Sequence, residues 1–193
     1  MKYLFIDTCS NCLIISTIIN DKLDYFFIDK NNNDTSSKVM KVLKEAVCDI
    51  NTVDKIFVVN GPGSFTGIRV GVTIAKTIGF CLNIPIINLS ELELLATTKT
   101  DTKYNVSLID ARRGYVYAGI YDKDLNCYLE DQHILLNDIK YPDSYTVIDN
   151  YDNIDLLKII KKHEFDEPIN PHDLKPNYLK RTEAEEKLDD KRS

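Results

Sequence analysis

Gly61-Pro62-Gly63-Ser64-Phe65-Thr66-Gly67-Ile68-Arg69-Val70-Gly71 follows an apolar run, Ile56-Phe57-Val58-Val59, that reads as a buried strand. A helical pattern then continues to about Leu82. The stretch is therefore a strand, a glycine-rich turn and a helix start. Gly61 and Gly63 allow backbone angles closed to other residues, and Pro62 cannot continue a strand ladder. Ser64 is placed to cap the helix, its hydroxyl accepting a free N–H of the first turn. Gly67, Gly71, Ala75 and Gly79 then recur every four residues, so they share one helix face. A glycine costs about 1 kcal/mol in a helix interior, so a bare face needs a close neighbour. Spacing alone favours a neighbour within the same domain; a surface for a second protein is the sharper reading. Arg69 and Lys76 interrupt the apolar pattern, and the helix reads as too short for a membrane span.

Moving outward, Tyr3 to Thr8, Cys12 to Ile19 and Leu23 to Asp29 read as strands joined by links short enough for antiparallel hairpins. Asp34 precedes a helix over 35–49 whose apolar face holds Val39, Val42, Leu43, Ala46, Val47 and Ile50. Ile84 to Asn88 is a strand, and Ser90 with Glu93 forms a capping box for a helix to about Thr98. The pattern then restarts. Asn105 to Asp110, Tyr115 to Tyr121 and Cys127 to Leu135 are strands, Tyr145 to Ile148 another, and Ile154 to Lys162 a short helix. Both halves open strand-turn-strand-turn-strand, and their first strands end Ile6-Asp7 and Ile109-Asp110. This is a degenerate internal duplication, shorter in its second half. The expected division is 1–99 and 100–193, with a charged tail from Leu179.

The 193 residues are 44% hydrophobic and 28% charged, enough for one good core or two small domains. A net charge of −6 is not the footprint of a protein that grips nucleic acid alone. Nothing at the start resembles a signal peptide, and five cysteines, an odd number, suit a reducing cytoplasm.

The candidate chemistries are thin. The turn lacks the Gly-Lys-Ser/Thr ending of a P-loop, and Pro62 and Thr66 occupy the flanks that a nucleophile elbow reserves for glycine. His133, His163 and His172 show no metal-pair spacing. Cys9-Ser10-Asn11-Cys12 is a lone C-x-x-C that reads as two thiols near a hairpin. Asp7 and Asp110 are the weak nucleotide candidates, able to hold a magnesium ion if they face one cleft, and otherwise loop caps. Arg112 and Arg113 could bind an anion or lie on a rim.

The 61–71 stretch resembles the signature of the bacterial TsaB family of tRNA threonylcarbamoyladenosine biosynthesis. Ile6-Asp7-Thr8, Ile109-Asp-Ala-Arg-Arg-Gly-Tyr-Val-Tyr117 and Pro176-Asn-Tyr-Leu-Lys-Arg-Thr-Glu-Ala184 are similar in order and spacing. The resemblance implies an α/β, duplicated actin-like (ASKHA, ribonuclease H-like) fold, with a mixed five-stranded sheet in the first domain and a reduced second domain. It implies a cytoplasmic, non-catalytic subunit that needs no cofactor and no metal. Its partner would be TsaD, which threonylcarbamoylates the adenosine next to the anticodon in tRNAs reading ANN codons. The ATPase TsaE joins that pair, tRNA is held mainly through the partners, and the chain forms a homodimer when alone. Carried onto this sequence, the partner interface would take Val39, Val42, Leu43 and Ala46 from one helix and Gly67, Gly71, Ala75 and Gly79 from the other. Thr35-Ser36-Ser37 stands where family members often carry His-Ser-Glu. The alternatives are a stand-alone ATPase or small-molecule kinase of the same fold and, last, a metallopeptidase.

Overall fold

Two sheets follow one plan. β1 (Lys2–Asp7), β2 (Leu13–Ile19) and β3 (Lys22–Asp29) form an antiparallel meander. β4 (Lys55–Val59) pairs in parallel with β1, and β5 (Ile86–Leu89) with β4, giving the order β3-β2-β1-β4-β5. The second sheet contains β6 (Tyr104–Asp110), β7 (Tyr115–Asp122), β8 (Cys127–Leu135) and β9 (Tyr145–Ile148), ordered β8-β7-β6-β9. Its pairings are again antiparallel, antiparallel, parallel. β6 thus stands where β1 stands, and β9 where β4 stands, so the repeat read from the sequence is a repeat of topology. This computed structural model describes residues 1–10, 12–30 and 34–180. The charged tail beyond Lys180 lies outside the described residues.

The helices show what the second half has lost. α1 (Thr35–Ala46) connects β3 to β4, whereas a single 3₁₀ turn, Leu136–Asp138, lies between β8 and β9. α2 (Phe65–Leu82) is 18 residues long, and α3 (Glu91–Ala96) links the halves. The counterpart of α2 after β9, α4 (Leu156–His163), has 8 residues. α1 stops at Ala46, short of the expected Asp49, because the chain turns extended at Val47.

β1 and β4 are the central strands, and Leu4, Phe5, Ile6 and Ile56 to Val59 are wholly buried. Their continuous apolar runs are those of strands covered on both faces. The β2–β3 turn uses Asn20 and Asp21 at φ 50° and 62°, the left-handed pair a two-residue hairpin requires. One apolar cluster runs from this sheet through Leu92, Leu94 and Ala96 to Tyr121, Leu125, Leu156, Ile159 and Ile160. A small satellite, Val116, Ala118 and Ile139, sits behind the second sheet. Every residue of α3 is buried, Glu91 and Glu93 included.

α2 corrects one expectation. Its 18 residues and mean hydropathy of 1.3 are enough, by length and composition, for a membrane span. Its small residues instead press on the protein's own sheet, as in a core helix. After α4 the chain returns across the first sheet. Ile169 bridges to Ile86, and Asn177 N donates to Asn60 O at 2.7 Å.

Candidate functional site

The signature turn is held by backbone contacts with almost no spare space. Ser64 Oγ accepts from Gly67 N at 3.3 Å, as the capping pattern predicts, and Ser64 N donates to Cys9 O at 2.5 Å. Gly61 lies at φ 125°, which only glycine adopts without strain, and a Cβ there would stand 2.4 Å from Asn177 O. At Gly67 a Cβ would fall 2.1 Å from Thr8 O, and at Gly71 2.5 Å from Thr8 Oγ1. The Thr8 hydroxyl donates to Gly67 O at 2.7 Å and accepts from Gly71 N at 3.0 Å. It bridges the carbonyl and amide of an i, i+4 helical pair. Gly79 meets Ile86 of β5 in the same way, at 2.5 Å. Bare backbone here lets a helix lie directly on the end of β1.

This geometry corrects the interface residues carried over by resemblance. Gly67, Gly71, Ala75 and Gly79 face the sheet, and Val39, Val42, Leu43 and Ala46 face the core. None of the eight is available to a second protein, because the spacing that makes a stripe does not say which side it faces. The outer faces of the same helices carry other residues. On α2 these are exposed Arg69, Thr73, Thr77 and Phe80 (62% exposed), with half-buried Val70 and Ile74. On α1, Met40 (48% exposed), Lys41, Lys44 and Glu45 line a hollow of about 380 Å³. At the start of α2 the Arg69 guanidinium lies 4.6 Å over the Phe65 ring, which stacks at 4.9 Å on Tyr178.

Asp7 and Asp110 are not brought to one ligand in equivalent states. Asp110 is exposed, and its Oδ1 accepts from Arg112 N at 2.9 Å, capping its own turn. Asp7 is wholly buried beside Cys9 and Glu91, their ligand atoms all within 4.8 Å of one another. Cys9 N donates to Asp7 Oδ1 at 2.8 Å, and the Tyr151 hydroxyl donates to Glu91 Oε1. Among the described residues, Asp7 Oδ2 and Glu91 Oε2 have no hydrogen-bond partner at normal distance. Two buried carboxyls this close repel when both are ionised, and burial, then that repulsion, pushes the Glu91 pKa well up. Burial raises Asp7 too, against the hydrogen bond from Cys9. The pair is a holder of one proton.

The remaining candidates settle into structural surroundings. Cys9 and Cys12 are buried, and burial raises both thiols, the opposite of an activated thiolate. His133 stacks on Tyr115, His163 lies between Glu93 and Asp166, and His172 packs edge-on against Phe80. Ser90 Oγ accepts from Leu92 N and Glu93 N, as expected of a cap, but the Glu93 carboxylate turns to His163 Nε2 at 2.9 Å. Sequence reasoning missed Glu91, Tyr151 and the Thr8 plug. For Thr8 a signal existed: paired glycines four apart on α2 call for a partner that bonds their backbone.

A family model described as TsaD: tRNA N6-adenosine threonylcarbamoyltransferase matches residues 33–168. The tRNA threonylcarbamoyladenosine biosynthesis protein TsaB of Bacillus subtilis (strain 168) is 37% identical over 72% of this chain and 64% of its own length. The chain belongs to the TsaB family. The match spans less than two thirds of that TsaB, and 39% of the Escherichia coli (strain K12) TsaB, which is 32% identical. The MG208 homolog of Mycoplasma pneumoniae is 31% identical over 93% of this chain and 95% of that protein. YeaZ from Pseudomonas aeruginosa superposes with a TM-score of 0.79 at 16% identity, covering 92% of this chain and 99% of that one. The likeness gives this TsaB-family chain the duplicated actin-like fold, in which the second half is the reduced one.

Proposed function

We propose that this chain is a non-catalytic subunit of the machinery that makes threonylcarbamoyladenosine in tRNA. It docks TsaD through the outer faces of α1 and α2, in a complex that TsaE joins, and uses the same faces for a homodimer when TsaD is missing. The modified nucleoside is the adenosine next to the anticodon of tRNAs reading ANN codons, and the site of action is the cytoplasm. The two actin-like units divide at residue 99/100, between α3 and β6. The observation that carries this reading is the outer surface of the family's signature helix. Phe80, Met40, Val70 and Ile74 leave apolar area facing outward, while the inner face is already filled by Thr8 and Ile86. A stand-alone ATPase or kinase would need Asp7 and Asp110 turned to one nucleotide-bound magnesium ion, and burial of Asp7 against Glu91 speaks against it.

The test is co-elution with TsaD on a size-exclusion column with light scattering. Thr73 is exposed mid-helix, so Thr73→Arg adds bulk and charge to the proposed contact without touching the core. It should leave the monomer's melting curve intact and abolish or strongly weaken the complex. Ala75→Arg would be uninformative, because Ala75 is wholly buried and the variant would unfold. Unchanged co-elution of Thr73→Arg would move the docking face elsewhere.

A further inference from the structure

Ala111-Arg112-Arg113-Gly114 joins β6 to β7, and three consecutive residues there hold positive φ: Arg112 at 68°, Arg113 at 55° and Gly114 at 80°. For arginine this region drives Cβ against the following carbonyl. Such strain persists only where the surroundings fix the backbone, and it gathers at functional positions. The fixings are present. Asp110 Oδ1 accepts from Arg112 N at 2.9 Å, Ala111 N donates to Tyr115 O at 2.9 Å, Tyr115 N donates to Arg112 O at 3.0 Å, and Leu136 N donates to Gly114 O at 3.0 Å. The tip is a rigid mount for two side chains.

Both arginines are exposed, and neither makes an ion pair among the described residues. Lysine supplies 19 of the chain's 24 basic residues, yet this tip carries two of its five arginines side by side. Arginine differs from lysine in offering a planar fork that takes two phosphate oxygens at once. Immediately after the tip, Tyr115 is 38% exposed, and its ring stacks on His133 at 4.6 Å and 9°. Tyr117, next along the same face, packs 5.5 Å from the same imidazole. Exposed arginines on a tip that leads directly into a ready-stacked aromatic ring are the pieces that hold looped RNA, phosphates on the forks and an unstacked base on the ring.

We propose that the β6–β7 tip is a direct RNA contact, in which Arg112 and Arg113 grip the phosphodiester backbone and Tyr115, backed by His133, takes an unstacked base. The choice of RNA rests on the tRNA-modification reading above. The net charge of −6 keeps the contact weak for the isolated chain and makes it depend on ionic strength.

The test is fluorescence anisotropy of a labelled anticodon stem–loop RNA, with the chain alone and mixed with TsaD, over a salt series. The double substitution Arg112→Gly, Arg113→Gly keeps the left-handed backbone while removing both charges and the strain. It should raise the melting temperature, weaken RNA binding by about tenfold or more, and flatten the logarithmic salt slope by roughly 0.7 per arginine. Tyr115→Ser should weaken binding with the salt slope unchanged, since it removes no charge. RNA affinity that survives the double glycine variant, or wild-type protein that fails to bind RNA in either setting, overturns the proposal. Inorganic polyphosphate competing as well as RNA, with Tyr115→Ser without effect, would make the tip a bare anion site and also overturn it. Co-elution with TsaD tests the subunit reading separately. Arginine-dependent RNA binding without TsaD binding would keep the tip and discard the docking, and the converse would do the reverse.

Discussion

Glu91 sits wholly buried against Asp7, with one carboxylate oxygen held by the Tyr151 hydroxyl and the other without a close hydrogen-bond donor among the described residues. Burial raises both carboxyls above their ordinary range, so the folded state holds a proton on the pair more tightly than the unfolded chain does. A carboxyl raised on folding contributes stability that is fully present below its unfolded pKa, about 4, and lost as pH rises through its folded value. Glu91→Gln should therefore stabilise the protein at pH 8 and change little at pH 4. The new amide can donate to Asp7 Oδ2 and still accept from Tyr151. Each pKa unit removed is about 1.4 kcal/mol, so a gain of roughly 1–3 kcal/mol at pH 8 is the expected scale. Calorimetry of both proteins at the two pH values checks it, and a variant less stable at pH 8 would show that the charge pair is favourable as it stands. The sequence did not display this pair. In Ser90-Glu91-Leu92-Glu93 the sequence offers Glu93 as the capping-box partner of Ser90 and leaves Glu91 as an ordinary first-turn acid that complements the helix dipole. Only the packing of α3 between two sheets turns them inward, and that is a tertiary fact.

At the scale of elements, α2 is positioned by Thr8 as much as by its apolar residues. The hydroxyl satisfies Gly67 O and Gly71 N at once, and the absent side chains of those glycines make room for it. Gly71→Ala brings a methyl to within 2.5 Å of Thr8 Oγ1, a contact that trimming Thr8 can relieve. Gly67→Ala brings one to 2.1 Å of the Thr8 backbone oxygen, which no side-chain change relieves. Singly, each should cost about 1–3 kcal/mol through overpacking. In a double-mutant cycle with Thr8→Ala, Gly71→Ala should show a favourable coupling above about 0.5 kcal/mol, and Gly67→Ala none. Equal coupling in both cycles would mean that α2 shifts as a body and that the hydroxyl is not its locating contact. Most elements were legible from the sequence for a related reason. Apolar runs in β1 and β4, the Asn20-Asp21 turn and the Ser64 cap are local signals, each read within a few residues. The side on which the glycine stripe lies was not, because periodicity groups Gly67, Gly71, Ala75 and Gly79 without naming what they touch.

Across the whole molecule, the two halves meet at a polar seam around α3. Ser90 and Tyr121 both donate to Asp131 of β8, and Glu93 Oε1 meets His163 Nε2 of α4 at 2.9 Å, with Lys162 Nζ at 3.8 Å. Burial works against a charge on His163, but hydrogen bonds to Glu93 and Asp166 outweigh it, and its pKa is raised. A histidine raised on folding contributes stability that is fully present below its unfolded pKa, about 6.5, and lost as pH rises through its folded value. The Asp7–Glu91 pair pulls in the same direction over a window that opens lower, near pH 4. Asp122 pulls the other way, since hydrogen bonds from Asn126 and Asp124 overcome burial and lower it, so its contribution fades in acid. His163 and the Asp7–Glu91 pair together favour the acid side of neutrality, and stability declines as pH rises and the seam and the buried pair each give up a proton. For a chain of this size a change of 1 kcal/mol moves the melting temperature by about 2–4 °C, so the decline should be several degrees. His163→Gln separates the seam from the pair. It should lower the melting temperature most at pH 5.5, where the imidazolium is present, and progressively less as pH rises through the raised folded pKa and the wild type loses it. The two curves should converge from about pH 6.5 upward, while the decline that opens near pH 4 persists in the variant because Asp7 and Glu91 remain. Parallel curves across the range would place the protonated group of the seam elsewhere than His163.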